Sequence, residues 1–146
     1  MSPTIARLVS APLSQDDVVR RLVSPERGAV VVFSAVVRNH GGGRTVTGVS
    51  YEADAPLAVR AMEEMGEDAL AQWGPDLGVM VVHRTGRVQV GEACLVVGVA
   101  SVHREEAFQA ARWILEQFKL HSPVRKQEHY ADHDGCRSAR RATAVP

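Results

Sequence analysis

Of the 17 basic side chains in this 146-residue chain, only Lys119 and Lys126 are lysines; the other 15 are arginines. The two residue types differ in chemistry. Arginine keeps its proton near neutral pH, whereas a lysine that is desolvated or set beside another cation can release it and serve as base or nucleophile. Arg125, next in sequence to Lys126, is a candidate for such a neighbouring cation. A chain-wide preference for arginine would explain the scarcity equally well. The two lysines are seven residues apart around Pro123, and Lys119 follows Leu115 by four, so it is expected to emerge from a packed helical surface.

Two further polar clusters stand at the ends of apolar runs. Arg38-Asn39-His40 precedes Gly41-Gly42-Gly43, and His103-Arg104 precedes a helical pattern. Arginine supplies a planar fork of donors and histidine a tunable one, a combination suited to phosphate or carboxylate. A helix start adds free amide donors. Either cluster could equally be a solvated junction. The triple glycine lacks the GxxxxGK[ST] arrangement of a phosphate-cradling loop and reads as a flexible loop. Six histidines include His129-x3-His133, but no compact ligand constellation points to a metal. Cys94 lies in an apolar strand pattern and reads as core; Cys136 lies in a polar terminal stretch.

These clusters need elements to hold them. Ser14 can cap a short helix running to Val23, with Asp17 three residues on. Ala29 to Val37 reads as a strand buried on both faces, and Val46 to Glu52 as one with a wetter face. Pro56 opens a helix whose Ala58, Ala61, Met62, Met65 and Ala69 make an apolar stripe, closed by Trp73-Gly74-Pro75. Strands from Gly78 to His83 and Ala93 to Ala100 follow, with Val90-Gly91-Glu92 as a turn. The last helix carries Ala107, Phe108, Ala111, Ile114, Leu115 and Phe118 at helical spacing, with Glu105 and Glu106 at its start and Lys119 at its end, and stops near Ser122-Pro123. Residues 124–130 are expected to be extended. This pattern predicts one α+β domain over 1–146, with a mixed or antiparallel sheet and packed helices.

Bulk properties narrow the function classes. The chain is 45% hydrophobic and 23% charged, which is globular in character. A formal net charge of zero and 5% aromatic content argue against a nucleic-acid partner. The C-terminal region from Lys119 holds a local basic excess, whose plainest meaning is a solubilising tail. No apolar run reaches membrane-spanning length and no secretory leader is evident, so a cytoplasmic protein without membrane contact is expected.

Taken in order, Val37-Arg38-Asn39-His40, Tyr51-Glu52-Ala53, His83-Arg84-Thr85-Gly86, His103-Arg104 with Glu106-Ala107-Phe108, and Leu115-x3-Lys119-x3-Pro123-x2-Lys126 resemble the large, catalytic subunit family of molybdopterin synthase. The resemblance covers about Gly28 to Glu128. It implies an α/β hammerhead-type fold and a homodimer of large subunits. Two small ubiquitin-like subunits would complete a heterotetramer, each inserting a C-terminal Gly-Gly thiocarboxylate. It implies a sulfurtransferase that moves sulfur from that tail to cyclic pyranopterin monophosphate, forming the dithiolene of molybdopterin, with no tightly bound cofactor and no metal. By matching position, Lys119 is the principal catalytic lysine and Lys126 its partner. Arg38, Asn39, His40, His103, Arg104, Gln127 and Glu128 would bind substrate or anion, drawing on both large subunits. Arg137, Arg140 and Arg141 are further candidates for phosphate.

The chain departs from the family at three places. Arg125 stands where an aromatic residue, often Trp, is common; Asp54 also replaces an aromatic; and residues 134–141 replace a Gly-x-x-Trp-Val-like segment. Residues from about 131 to 146 are therefore expected as a divergent, flexible tail. The alternative reading is a non-enzymatic or low-activity relative that binds the small-subunit tail or an anionic ligand.

Overall fold

The computed structural model describes residues 4–131 and the backbone of 139–142. Nine strands and three helices are assigned among them: β1 (Thr4–Val9), α1 (Gln15–Leu22), β2 (Ala29–Val36), β3 (His40–Gly41), β4 (Arg44–Glu52), α2 (Ala55–Trp73), β5 (Gly78–Arg84), β6 (Gly86–Gln89), β7 (Ala93–Ser101), α3 (Arg104–Leu120), β8 (Arg125–Tyr130) and β9 (Ala139–Ala142). The fold is α+β, as expected. A mixed sheet runs β1-β5-β7-β2, with β1 and β5 parallel and the other pairs antiparallel. A second sheet runs β3-β4-β8-β9, and β6 also pairs with β4.

The strand period of two sorts the side chains of the first sheet between two layers. Val79 and Val81 of β5, with Leu95, Val97 and Val99 of β7, join the larger core beneath α2 and α3. Met80, Val82, Val96 and Ala100 join a smaller cluster with Val18 and Leu22 of α1. A Cβ at Gly98 would collide with Val18 and Leu22, so the glycine is what lets α1 lie this close to β7. The larger core continues into the second sheet through Val46, Val49, Tyr51, Val88, Val124 and Tyr130.

Local signals hold where they rest on caps. The Ser14 side chain accepts from the Asp17 amide at 3.1 Å, and α1 begins there. Asp54 caps α2 by accepting from the Leu57 amide, which gives this departure from the family pattern a local structural role. Pro56 is thus the second helical residue, where its missing N–H is still free of cost. Trp73 of α2 meets Trp113 of α3 edge to face, with ring centroids 5.8 Å apart.

Four expectations change. Among the described residues β2 pairs only with β7 and is an edge strand, and it is only partly buried, with Phe33 and Val36 exposed. Gly42 and Gly43 both have positive φ and form the two-residue turn of the β3–β4 hairpin, a tight connection in place of a flexible loop. Phe108 is 62% exposed, because the buried face of α3 runs through Ala107, Ala110, Ala111, Ile114 and Phe118. Within the expected flexible tail, 139–142 pair with β8 as a strand. Cys136 and His133 lie outside the described residues.

Candidate active site

Lys126 is fixed by strand pairing. It sits directly opposite Tyr51 across the β4–β8 ladder, and Tyr51 is in turn opposite Gly86 of β6. Directly paired residues share a face, so Lys126 lies on the face of the sheet where Tyr51 is buried. Ser50, Tyr51, Glu52, Gly86, Arg125, Lys126 and Gln127 line a crevice of about 240 Å³, bordered by residues of both strand faces. Alternation carries Arg125 to the opposite face of β8, where its Nε lies 3.4 Å from Glu52 Oε1. Arg125 nevertheless borders the same crevice as Lys126, with its charge paired to Glu52 at the rim.

Lys119 lies in the last turn of α3, exposed, on the rim of a second crevice of about 200 Å³. Its walls are Phe33, Leu95, Leu115 and Phe118, with Arg112 and Glu116 also lining it. A long ammonium stem over an apolar wall is how Lys119 meets the packed surface the helical spacing implied.

A buried group of rings joins the two crevices. His83 on β5 is fully buried, its ring edge to face with Tyr51 at 4.9 Å between centroids and stacked on Phe118 at 5.7 Å. Its Nδ1 lies 2.7 Å from the Arg84 carbonyl, which can only accept, so Nδ1 carries the proton. Nε2 is buried with no hydrogen-bond partner among the described residues. Desolvation pulls the His83 pKa down to about 4, against the opposing pull of the Arg84 carbonyl, so the ring is neutral at physiological pH. Burial likewise pushes the Tyr51 phenol far above its ordinary range, and pushes the Cys94 thiol up. The thiol donates to the Ala35 carbonyl at 3.5 Å and faces the Tyr51 hydroxyl, which makes no hydrogen bond of good geometry. Cys94 is core, as its strand pattern implied.

The remaining predicted residues fall into two separate groups. Arg38 and Asn39 leave the C-terminal end of β2, and His40 opens the β3–β4 hairpin, with its Nδ1 3.0 Å from Asn39 Oδ1; all three are exposed. Glu128 shares the Lys126 face of β8 and accepts from the Tyr130 hydroxyl at 3.3 Å. A Cβ at Gly41 would run into the Glu128 carboxylate, so this hairpin lies against Glu128. Gln127 points to the other face, beside His129, whose Nε2 is 2.7 Å from Ser50 Oγ. Backbone register sets Arg140 opposite Glu128 and Arg141 opposite Gln127, while Arg137 lies outside the described residues.

His103 and Arg104 are elsewhere. They open α3 and line a shallow depression with Gly28, Ala29, Val102 and Glu105, at the start of β2. The His103 side chain does not cap the helix. Arg104 and Lys119 are fifteen residues apart on one helix, about 22 Å along its axis. One chain therefore gathers Arg38, Asn39, His40, Lys119, Lys126 and Glu128 toward one end and leaves His103 and Arg104 at the other. Among the described residues no group of three or more His, Cys, Asp or Glu side chains could hold a metal, and no helix is long and apolar enough to cross a membrane. Tyr51 and His83 stand in the motifs of the resemblance with no role attached to either; their burial beside the lysine crevices depends on strand pairing.

A two-sheet α+β scaffold with paired lysine crevices at one end defines the class. The MoaE protein family matches residues 8–121, and the chain belongs to that family. It is 41% identical over 123 residues to molybdopterin synthase catalytic subunit 1 of Mycobacterium tuberculosis, covering 84% of this chain and 82% of that one. It is 36% identical over 122 residues to the molybdopterin synthase catalytic subunit of a Nostoc species, covering 84% and 74%. The crystal structure of molybdopterin synthase from Staphylococcus aureus superposes with a TM-score of 0.86 at 26% identity, over 97% of this chain and 98% of that one. A complex of subunits 1 and 2 of molybdopterin-converting factor from Helicobacter pylori shares the fold, with a TM-score of 0.71 at 18% identity, over 88% and 90% of the two chains.

Proposed function

We propose that the chain is the catalytic subunit of a molybdopterin synthase. In this reading it transfers sulfur from the C-terminal thiocarboxylate of a small ubiquitin-like subunit to cyclic pyranopterin monophosphate. The observation that carries the reading is the pair of lysines at one end of the fold, each at its own crevice, with walls that meet at one buried imidazole. Family membership and relatives named as catalytic subunits support it.

A thiocarboxylate sulfur is already a competent nucleophile, so the protein needs no cysteine of its own, in keeping with the burial of Cys94. The sulfur forms a bond to a carbon of the pterin substrate as that carbon's bond to oxygen breaks, the oxygen leaving as water or with the phosphate. Water then cleaves the acyl–sulfur bond, leaving sulfur on the pterin and a carboxylate on the small subunit's tail. Two such transfers make the dithiolene. What the protein must supply is proton movement and stabilisation of oxyanions at the acyl carbon. Lys119 takes these roles and Lys126 assists, while Arg38, Asn39 and His40 offset the charge of phosphate and tail carboxylate.

The assembly in this reading is a cytoplasmic homodimer carrying two small subunits. The complex of two subunits in the H. pylori structure supports a small-subunit partner. His103 and Arg104 would then serve the site of the other copy, since their own chain holds them far from its lysines. The test is reconstitution with thiocarboxylated small subunit and cyclic pyranopterin monophosphate, followed by detection of the dithiolene. Dithiolene formation is expected; small-subunit binding without product would overturn the enzymatic reading in favour of a binding-only relative.

A further inference from the structure

We propose that His83 is a positioning residue that holds the walls of both lysine crevices in fixed relation through a single oriented imidazole. The inference rests on the sulfur-transfer reading only for its kinetic arm. Each crevice contributes one ring: Tyr51 lines that of Lys126 and is its cross-strand partner, and Phe118 lines that of Lys119 and precedes it in α3. Both rings contact His83. The ring plane is set by its own strand, because Nδ1–H donates to the Arg84 carbonyl at 2.7 Å.

Packing alone gives a poor account of a histidine here. Its Nε2 is fully buried and accepts from nothing among the described residues, a net cost that a phenylalanine of similar volume would avoid. What a phenyl ring lacks is the donor that anchors the plane. The neutral ring also brings no charge between two lysines whose work depends on their own. Arg84 is held in turn by Glu92, with Nη1 3.3 Å from Oε1, and is only 12% exposed, so the carbonyl that orients the imidazole belongs to a fixed residue.

The test uses the full chain and exploits its having only two lysines. Reductive ¹³C-methylation gives one side-chain NMR signal for each lysine, readable without any partner. His83→Phe is expected to keep or raise the Tm yet shift both lysine signals. In the reconstituted enzyme, made with unmethylated protein, it is expected to lower kcat about tenfold with KM for the small subunit unchanged. A purely structural residue would move stability and activity together. Phe118→Leu is the second variant, expected to shift the Lys126 signal although Phe118 is not part of that crevice. Both lysine signals unmoved in His83→Phe, or an unmoved Lys126 signal in folded Phe118→Leu, would overturn the proposal. If the lysine signals shift and wild-type protein makes no dithiolene, the sulfur-transfer reading fails and the positioning role stands.

Discussion

At the residue scale the two lysines are not equivalent, and their surroundings say why. Lys119 is exposed at a helix end over an apolar wall. Lys126 is half-buried in a strand whose neighbours fix it. Lys119→Ala is expected to reduce dithiolene formation by roughly 100-fold or more while leaving small-subunit affinity within about twofold, since proton transfer by a positioned group contributes on that scale. Single-turnover kinetics beside calorimetric titration of the small subunit checks both halves, and full turnover by the variant would remove Lys119 from the chemistry. His83 supplies a second prediction. Its folded pKa of about 4 lies below the unfolded value of about 6.5, so between these pH values the unfolded chain binds more protons than the folded one. Stability is thus fully present above about pH 6.5 and lost as pH falls toward 4, by about 3 kcal/mol in the limit. The rings packed on it, Tyr51 from β4 and Phe118 from α3, carry no charge in this range. His129, whose pKa is lowered by partial burial and by Arg87, tilts the curve the same way. Comparing urea melts of wild type and His83→Phe from pH 4 to 7 isolates His83; equal pH slopes would refute its part.

Elements show which features depend on contacts distant in sequence. Gly98 is a strand residue whose missing side chain admits α1, so Gly98→Val is expected to destabilise by about 1–3 kcal/mol, the range for overpacking a filled site. A thermal melt with the far-UV spectrum retained checks it, and an unchanged Tm would mean that α1 shifts without cost. Helices α1, α2 and α3 were legible in the sequence because caps and apolar periods are local: Ser14, the stripe from Ala58 to Ala69, and Lys119 closing α3. Strands β4, β5, β7 and β8 were legible as apolar or extended runs. β1 and β6 were not, since Arg7 breaks the first run and β6 buries only Val88. The edge position of β2 was equally hidden, because a run of valines is the same whether one neighbour or two pairs with it. The candidate site follows the same division. Its lysines and its Arg38 cluster could be read from residue type, whereas the Tyr51–His83–Phe118 contact joins β4, β5 and α3 and is visible only when these meet. Arg125 borders the Lys126 crevice as adjacency implies, but its pairing with Glu52 depends on the β4–β8 register, which the sequence does not display.

For the whole molecule, the separation along α3 leads to a test of assembly. The anion cluster expected from Arg38 to His40 together with His103 and Arg104 cannot form within one chain, whose β2 and α3 hold the two groups at opposite ends. Two copies related by a twofold axis could bring the start of one α3 to the Lys119 end of the other, and would do so twice. Lys119→Ala and Arg104→Ala chains should then each be poorly active alone yet complement when mixed. A mixed dimer has one composite site with both residues intact and one lacking both. Random exchange makes half of the dimers mixed, so about a quarter of wild-type activity should return. Co-refolding the two variants, confirming mixed dimers by native mass spectrometry and assaying with thiocarboxylated small subunit measures this. Mixed dimers without recovered activity would show that His103 and Arg104 serve no site shared between copies. Recovery would assign the two ends of α3 to two different active sites, with the length of one helix setting the distance between them.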